Sequence, residues 1–462
     1  MTQPTQTTQI THRWILALLC GLCWTGATAA QPPPAAAPTA GVEVEALIDY
    51  ALAHNQQLAA ERQRIAEALG RLKQAGLKAN PMLEGSGQTS LPESGMQNIA
   101  IGLSLPLEVG RRSRRLSVAS EELARMRHEV ANQERLLAGA IARKAAELAE
   151  IEARLALLRE LAKLHTESLS LIRARVAEGV SPRLEENLQI VELRQTEAQR
   201  AMLDARHRAL LEELKGQLGW SEETPLALGP ALATRVDLPP RERLIEEALS
   251  RRPDLAAARA DEVIGEAMIA MATVEGTFDV SVFGELGWQR WRFDQQGFTA
   301  MAGGGNLLSP VQMQTGMIRG GVTLTLPVRN RNQGSIEAAV AWRQSAKHRR
   351  EFLESIVRRE IAAADERRQG ARRALSAYDE GLIQAQEANT AIIRESYTLG
   401  HARLTDLLAE QRRLVALRLE RLEALKERFL SDVELAEASS QPLPSKRPSS
   451  PQPERTETKE PR

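Results

Sequence analysis

Histidine, cysteine and methionine are the residue types here best suited to nucleophilic or metal chemistry, and their spacing supports neither. The seven histidines are His12, His54, His128, His165, His207, His348 and His401. No two of them stand at the i, i+4 spacing that puts a pair of imidazoles on one helix face for zinc. Met313 and Met317 are spaced for neither a soft-metal cage nor a helix face. Gly303-Gly304-Gly305 lacks the strand–loop–helix context of a phosphate cradle. The expectation is therefore no catalytic set, no bound metal and no cofactor. What the chain does concentrate is aromatic surface. Six of its fifteen aromatics fall between Phe278 and Phe298. Among them Phe283, Trp288, Trp291 and Phe293 are candidate membrane anchors, since Trp and Phe at the ends of membrane strands sit at the headgroup level. The plainer alternative is a hydrophobic hairpin packed on helices.

The elements that must carry these residues follow from composition and repetition. Of 462 residues, 60 are basic and 60 acidic, and only 3% are aromatic. Zero net charge argues against nucleic acid as a partner, because phosphate recognition leaves a basic excess. Dominance of Ala, Leu, Glu and Arg is the composition of long helices with solvated faces. Residues 1–30 read as an export signal: Arg13 is the positive flank, Trp14 to Trp24 the apolar stretch, and Ala29 or Ala30 the cleavage point. Both cysteines, Cys20 and Cys23, lie inside it, and Leu19 and Leu22 before them are not the small residues that lipid attachment needs. The mature chain then has no cysteine. No later segment has the apolar length of a transmembrane helix.

The chain repeats itself. Leu105-Pro106-Leu107 recurs as Leu326-Pro327-Val328, and Gly179 as Gly400, both at an offset of 221. Upstream, Leu58-Ala59-Ala60 matches Leu255-Ala256-Ala257 at 197. Two halves therefore share one plan, and the second holds a longer excursion between Phe278 and Leu326. Each half runs helix (44–78 and 241–273), then strands, then helix. Period-two alternation marks the strands: Ile99, Ile101, Leu103 and Leu105 in the first half; Val280, Val282, Leu286 and Trp288, then Val322, Leu324 and Leu326, in the second. One hairpin per half (about 82–107 and 278–328) makes four strands. No proline interrupts 107–181 or 328–441, so each hairpin should return into unbroken helix. From Leu107 to Glu178 such a helix would run roughly 105 Å at 1.5 Å per residue.

The fold class expected is thus mainly α with a small β part, built of long antiparallel coiled-coil helices plus four strands. Four strands cannot close a barrel, and an open sheet edge is not tolerated in lipid. Three chains would supply twelve strands, enough for a closed barrel, though strand counting also admits other multiples. The remaining divisions are a Pro/Ala-rich linker (31–40), an inter-repeat segment (220–240) between repeats 41–219 and 241–438, and a Pro-rich tail (439–462) without core-forming residues. The run 302–306 reads as an extracellular loop at the second hairpin's tip.

With this plan the chain resembles the TolC-like outer-membrane efflux family over nearly all its mature length. Leu103-Ser104-Leu105-Pro106-Leu107-Glu108-Val109-Gly110-Arg111-Arg112 and Leu326-Pro327-Val328-Arg329-Asn330-Arg331-Asn332-Gln333-Gly334 look most like its CzcC-type heavy-metal branch. The resemblance implies a homotrimer whose 12-stranded β-barrel sits in outer-membrane lipid and continues as a periplasmic α-helical barrel. It implies two protein partners, a periplasmic adaptor and an inner-membrane RND pump. The turns at Gly179 and Gly400 would form the periplasmic tip where the adaptor docks, with Val176 and Tyr397 beside them. Tyr397 is the latch candidate, since Val176 lacks the hydroxyl often found there. Asp406 matches a pore-narrowing acid, and the 221 offset sets Glu185 opposite it. Rings of such carboxylates attract cations. Ala409 stands where a second acid is often found. Two alternatives remain: a drug or organic-solute duct of the same fold, and an exported coiled-coil scaffold without membrane strands.

Overall fold

The computed structural model describes residues 41–89, 95–220, 238–300 and 306–441, together with 226, 228, 229 and 232. The export signal, the linker, most of the inter-repeat segment, the loop at 301–305 and the tail beyond 441 lie outside the described residues. Chain order is α1 (Val44–His54), α2 (Gln56–Ala75), β1 (Met82–Thr89), β2 (Met96–Leu107), α3 (Arg111–Ala177) and α4 (Arg183–Leu218). The second half follows with α5 (Arg241–Arg251), α6 (Pro253–Glu275), β3 (Asp279–Ala300), β4 (Asn306–Thr325), α7 (Gln333–Ala377), α8 (Ile383–Thr398) and α9 (Leu404–Ser439).

Two expectations about helix continuity are corrected. The first helical segment of each half is a pair, broken at Asn55 and at Arg252. These positions are 197 apart, the offset that relates the halves upstream of the hairpins. Each break is held by a tertiary bond. Asn55 accepts from Leu58 N–H at 2.8 Å and donates Nδ2 to the Gln217 carbonyl at 2.7 Å. Arg252 donates to the Ala438 carbonyl at 3.1 Å. Gln217 and Ala438 are in turn 221 apart, so one joint is built twice with different side chains. It satisfies a carbonyl of the last turn of α4 or α9, which has no partner within the helix.

The second correction concerns the long helices. α3 runs 67 residues without interruption, about 100 Å. Its counterpart breaks at a π turn, Tyr378–Leu382, where Gly381 takes φ 127°. A side chain would be strained at that φ. The repeat offset changes across this break. The residues just before the long helices, Gly110 and Asn332, are 222 apart and both left-handed. Buried Gly139, Ala142 and Ala146 match Ile361, Ala364 and Arg368 at that same 222. Buried His165 and Gln386, beyond the break, match at 221. The π turn thus absorbs a one-residue difference in phase.

Small residues let the helices approach closely. Ile141, Ala142, Ala145, Ala146 and Leu148 on α3 are fully buried. A core joins α1, α3, α4 and α9 through Leu47, Ile48, Ala51, Ile141, Leu148, Leu214, Leu218, Phe429 and Val433. Its second-half equivalent joins α5, α6, α7 and α9 through Leu244, Ala248, Leu255, Val357, Ile361 and Leu435. The four strands form one antiparallel sheet in the order β1-β2-β3-β4. β3 and β4 extend past the end of β2, where Met96 pairs with Trp291, as a two-stranded ribbon with an irregularity between Arg292 and Gln296.

Candidate functional site

The sheet has two chemically different faces, and the strand register assigns every side chain to one of them. One face carries Leu83; Ile99, Ile101, Leu103, Leu105 and Leu107; Val282, Leu286 and Trp288; and Ile318, Val322 and Leu324, all of them exposed. Register aligns them across the sheet: Ile101 with Leu286 and Ile318, Leu105 with Val282 and Val322. The opposite face carries Glu84, Ser86 and Gln88; Asn98 and Ser104; Glu285 and Gln289; and Thr315 and Arg319, aligned in the same way. Glu84, Gly102, Glu285 and Arg319 share one row, and Arg319 lies 3.5 Å from Glu285. Soluble proteins rarely expose an apolar face of that extent, and a membrane strand requires one.

The four aromatic anchor candidates are divided between the two faces of the sheet. Trp288, 70% exposed, lies on the apolar face. Phe283 and Trp291 are odd-numbered on the same strand and project to the polar face, as period two demands. Phe283 lies over Gly321, which leaves room for its ring. Phe293 stacks on Trp291 with ring centroids 6.4 Å apart.

At the other end of the helices the two halves build the same turn. Gly179 and Gly400 take φ 72° and 80°, left-handed values natural to glycine. Val180 N–H bonds the Arg175 carbonyl at 2.9 Å, and His401 N–H bonds the Ser396 carbonyl at 2.8 Å. Ser181 and Ala402 bond the same two carbonyls at 3.2 Å each. Every partner is offset by 221. His401 is an exposed residue of this turn.

The turns are joined across the halves. Tyr397 Oη donates to Glu185 Oε2 at 3.2 Å, and the Arg175 guanidinium lies 5.4 Å from the Tyr397 ring centroid. Burial and the Glu185 carboxylate both raise the Tyr397 pKa, so its hydroxyl stays a donor. Beneath the contact Ile172, Leu404, Leu407 and Leu408 form a core against which Val176, Leu188, Ile393 and Tyr397 pack. Val176 is therefore a packing residue of the tip. Glu185 and Asp406 do not meet as a pair. Glu185 holds Tyr397, whereas exposed Asp406 accepts the Arg403 backbone N–H at 3.2 Å, capping α9. Sequence reasoning missed Arg175 and the exposed apolar side chains Val180, Leu184 and Leu399 around the turns. Their only signal is an apolar residue beside a turn glycine.

Farther up the helices a buried polar pair also recurs. Gln189 Nε2 lies 3.0 Å from His165 Nδ1 and donates to the His165 carbonyl at 3.1 Å. The equivalent pair is Gln386 with Glu410. An amide nitrogen only donates, so His165 Nδ1 accepts and the ring is neutral. Burial holds the His165 pKa below its usual value; Glu192 opposes this and Arg412 reinforces it. A depressed histidine disfavours the fold once the unfolded chain takes up protons. Stability is thus expected to fall as pH drops below the ordinary value of 6.5. His165→Gln, which installs the residue of the second half, should flatten that part of the profile. Unfolding midpoints of both proteins at pH 7.5 and 5.5 provide the check; equal losses would contradict this role for His165.

Among the described residues no cluster of histidine, cysteine or carboxylate side chains could hold a metal ion, and no helix is long and apolar enough to cross a membrane. An apolar strand face backed by a polar one, on long helices with paired tips, is the build of an outer-membrane channel subunit. The chain belongs to the outer membrane efflux protein family, whose model matches residues 47–219 and 244–440. Its fold is similar to that of CusC, with a TM-score of 0.71 at 19% identity over 89% of this chain and 98% of that one. VceC of Vibrio cholerae gives 0.66 at 19% identity over 86% and 96%. The open state of MtrE from Neisseria gonorrhoeae gives 0.67 at 17% over 87% and 89%. No curated protein matches the sequence.

Proposed function

We propose that this outer-membrane efflux channel is the exit duct of a tripartite system, conducting divalent heavy-metal cations from an inner-membrane RND pump and a periplasmic adaptor. β1 and β4 are edge strands, so closure in lipid requires several chains to pool their sheets. A homotrimer supplies twelve strands, with the apolar face in lipid and the polar face toward the lumen. The adaptor docks at the Gly179 and Gly400 turns, where Val180, Leu184 and Leu399 offer apolar contact.

The cation reading rests on one observation. Asp406 is exposed at the first turn of α9, with no ion-pair partner within 4 Å among the described residues. Three copies form a ring of negative charge at the narrow end. A duct needs no tight metal site, because conduction requires weak binding. The purified channel in planar bilayers is expected to prefer K⁺ over Cl⁻, and Asp406→Asn to lower that permeability ratio about twofold or more in low salt. An unselective wild-type channel would overturn the cation reading and leave the organic-solute duct as its successor.

A further inference from the structure

The apolar face of β3 ends in two arginines. Along this strand the residues of that face run Val280, Val282, Gly284, Leu286, Trp288, Arg290 and Arg292. Register holds through this stretch: Trp288 pairs with Ile99 and Gly316, Arg290 with Gln97 and Gln314, and Arg292 with Gln312. Both arginines are exposed, and the Gln314 side-chain oxygen lies 3.1 and 2.7 Å from Arg290 Nε and Nη2, leaving Nη1 of Arg290 outward. Around them the face changes from aliphatic to amide, with Gln97, Gln312 and Gln314 as neighbours.

Depth follows from the same register. From Val280 to Arg290 is ten residues, about 25 Å of height for a strand tilted near 40°. That is roughly the thickness of the apolar band of an outer-membrane barrel. Arg290 therefore lies at the outer boundary, one step beyond Trp288 at the edge of the apolar band, and Arg292 another step outward. A charge on the lipid face is costly at mid-bilayer and tolerated at the boundary, so this order has one comfortable placement. β3 is an inner strand of the chain's own sheet, so its outward face stays open when further chains join at β1 and β4.

We propose that Arg290 and Arg292 form a phosphate-recognition site for the phosphorylated glycolipid of the outer leaflet, with Trp288 packed against its acyl region. The chemistry is matched: guanidinium groups present paired donors to phosphate oxygens, and two arginines on alternate residues of one strand stand about 7 Å apart. The site rests on the outer-membrane location and is independent of the cargo.

The test uses the detergent-purified oligomer of the full chain, with bisphosphorylated lipid A, its dephosphorylated form and phosphatidylglycerol as probes. Wild type is expected to retain bisphosphorylated lipid A in native mass spectrometry and to dissociate at a higher temperature with it than without. Arg290→Gln/Arg292→Gln should lose that rise and bind roughly tenfold more weakly, with an unchanged dissociation temperature in detergent alone. Arg290→Lys/Arg292→Lys keeps the charge but loses the paired donors, so it should keep only part of the rise, between wild type and the Gln variant, which separates recognition from a folding defect. A rise that survives in the Gln variant would overturn the site. So would an equal response to dephosphorylated lipid A or to phosphatidylglycerol.

Discussion

Tyr397→Phe is expected to raise the open probability of single channels in planar bilayers by up to about tenfold. The substitution deletes one hydroxyl and leaves the ring packed on Leu404, Leu407 and Leu408, beside Arg175. What is lost is the 3.2 Å bond to Glu185, the contact that ties the second-half turn to the first. A hydrogen bond to a charged acceptor contributes about 1.5–3 kcal/mol when well buried. This one is only half-buried, so about 1–1.5 kcal/mol is a fair expectation, a factor of up to about ten between linked and released tips. Glu185→Ala should act alike, and the double variant should add little, because both remove one bond. Additive effects would show that the two residues act separately, and unchanged gating would remove the contact from any latch role.

Arg252→Ala should be the most destabilising of the substitutions considered. Arg252 is 4% exposed and binds three groups through four hydrogen bonds. Nε and Nη2 reach Asp254 at 3.0 and 2.6 Å, while Nη1 reaches Glu360 at 2.7 Å and the Ala438 carbonyl at 3.1 Å. Truncation leaves the largely buried Asp254 with Arg135 at 3.8 Å as its nearest cation and removes the donor to a carbonyl of the last turn of α9. Breaking a buried pair from one side costs about 3–5 kcal/mol. Arg252→Asn imitates Asn55 of the first half and should recover part of the loss, by restoring a donor to the carbonyl. Chemical denaturation of the three proteins side by side is the measurement. The pH dependence carries its own sign. Burial pushes the Asp254 pKa up, but the bond and charge of Arg252, with the Arg135 charge and the Leu255 N–H, together leave it below the ordinary 3.8. Its contribution is present above that value and lost as pH falls through the depressed one.

Much of this architecture was legible because few patterns were needed to encode it. Proline-free runs marked the long helices, Gly179 and Gly400 marked the turns at one offset, and alternation from Ile99 to Leu105 marked a two-faced strand. What escaped reading depends on contacts distant in sequence. The breaks at Asn55 and Arg252 did carry local signals, a side chain that caps α2 through Leu58 N–H and the proline at 253, but their bonds to carbonyls more than 160 residues away did not. Gly381 sits among helix-forming residues, and an isolated glycine there is ambiguous. Tyr397 and Glu185 are 212 residues apart, so no spacing rule joins them. The four aromatics were grouped by closeness along the chain. Parity, which separates Trp288 from Phe283 and Trp291, was the better guide.

The π turn at Tyr378–Leu382 bears on symmetry. Three chains of two matched halves would form a tube with nearly sixfold symmetry, and an adaptor would meet six equivalent grooves at its end. Here α4 and α9 are of equal length and keep one offset, whereas α3 is continuous and its partner is rephased. Alternate staves of the proposed tube therefore differ on the membrane side of the π turn, whereas beyond it both halves return to one offset and build matching tip turns. A protein that grips this end meets a more nearly sixfold surface than the body of the tube offers.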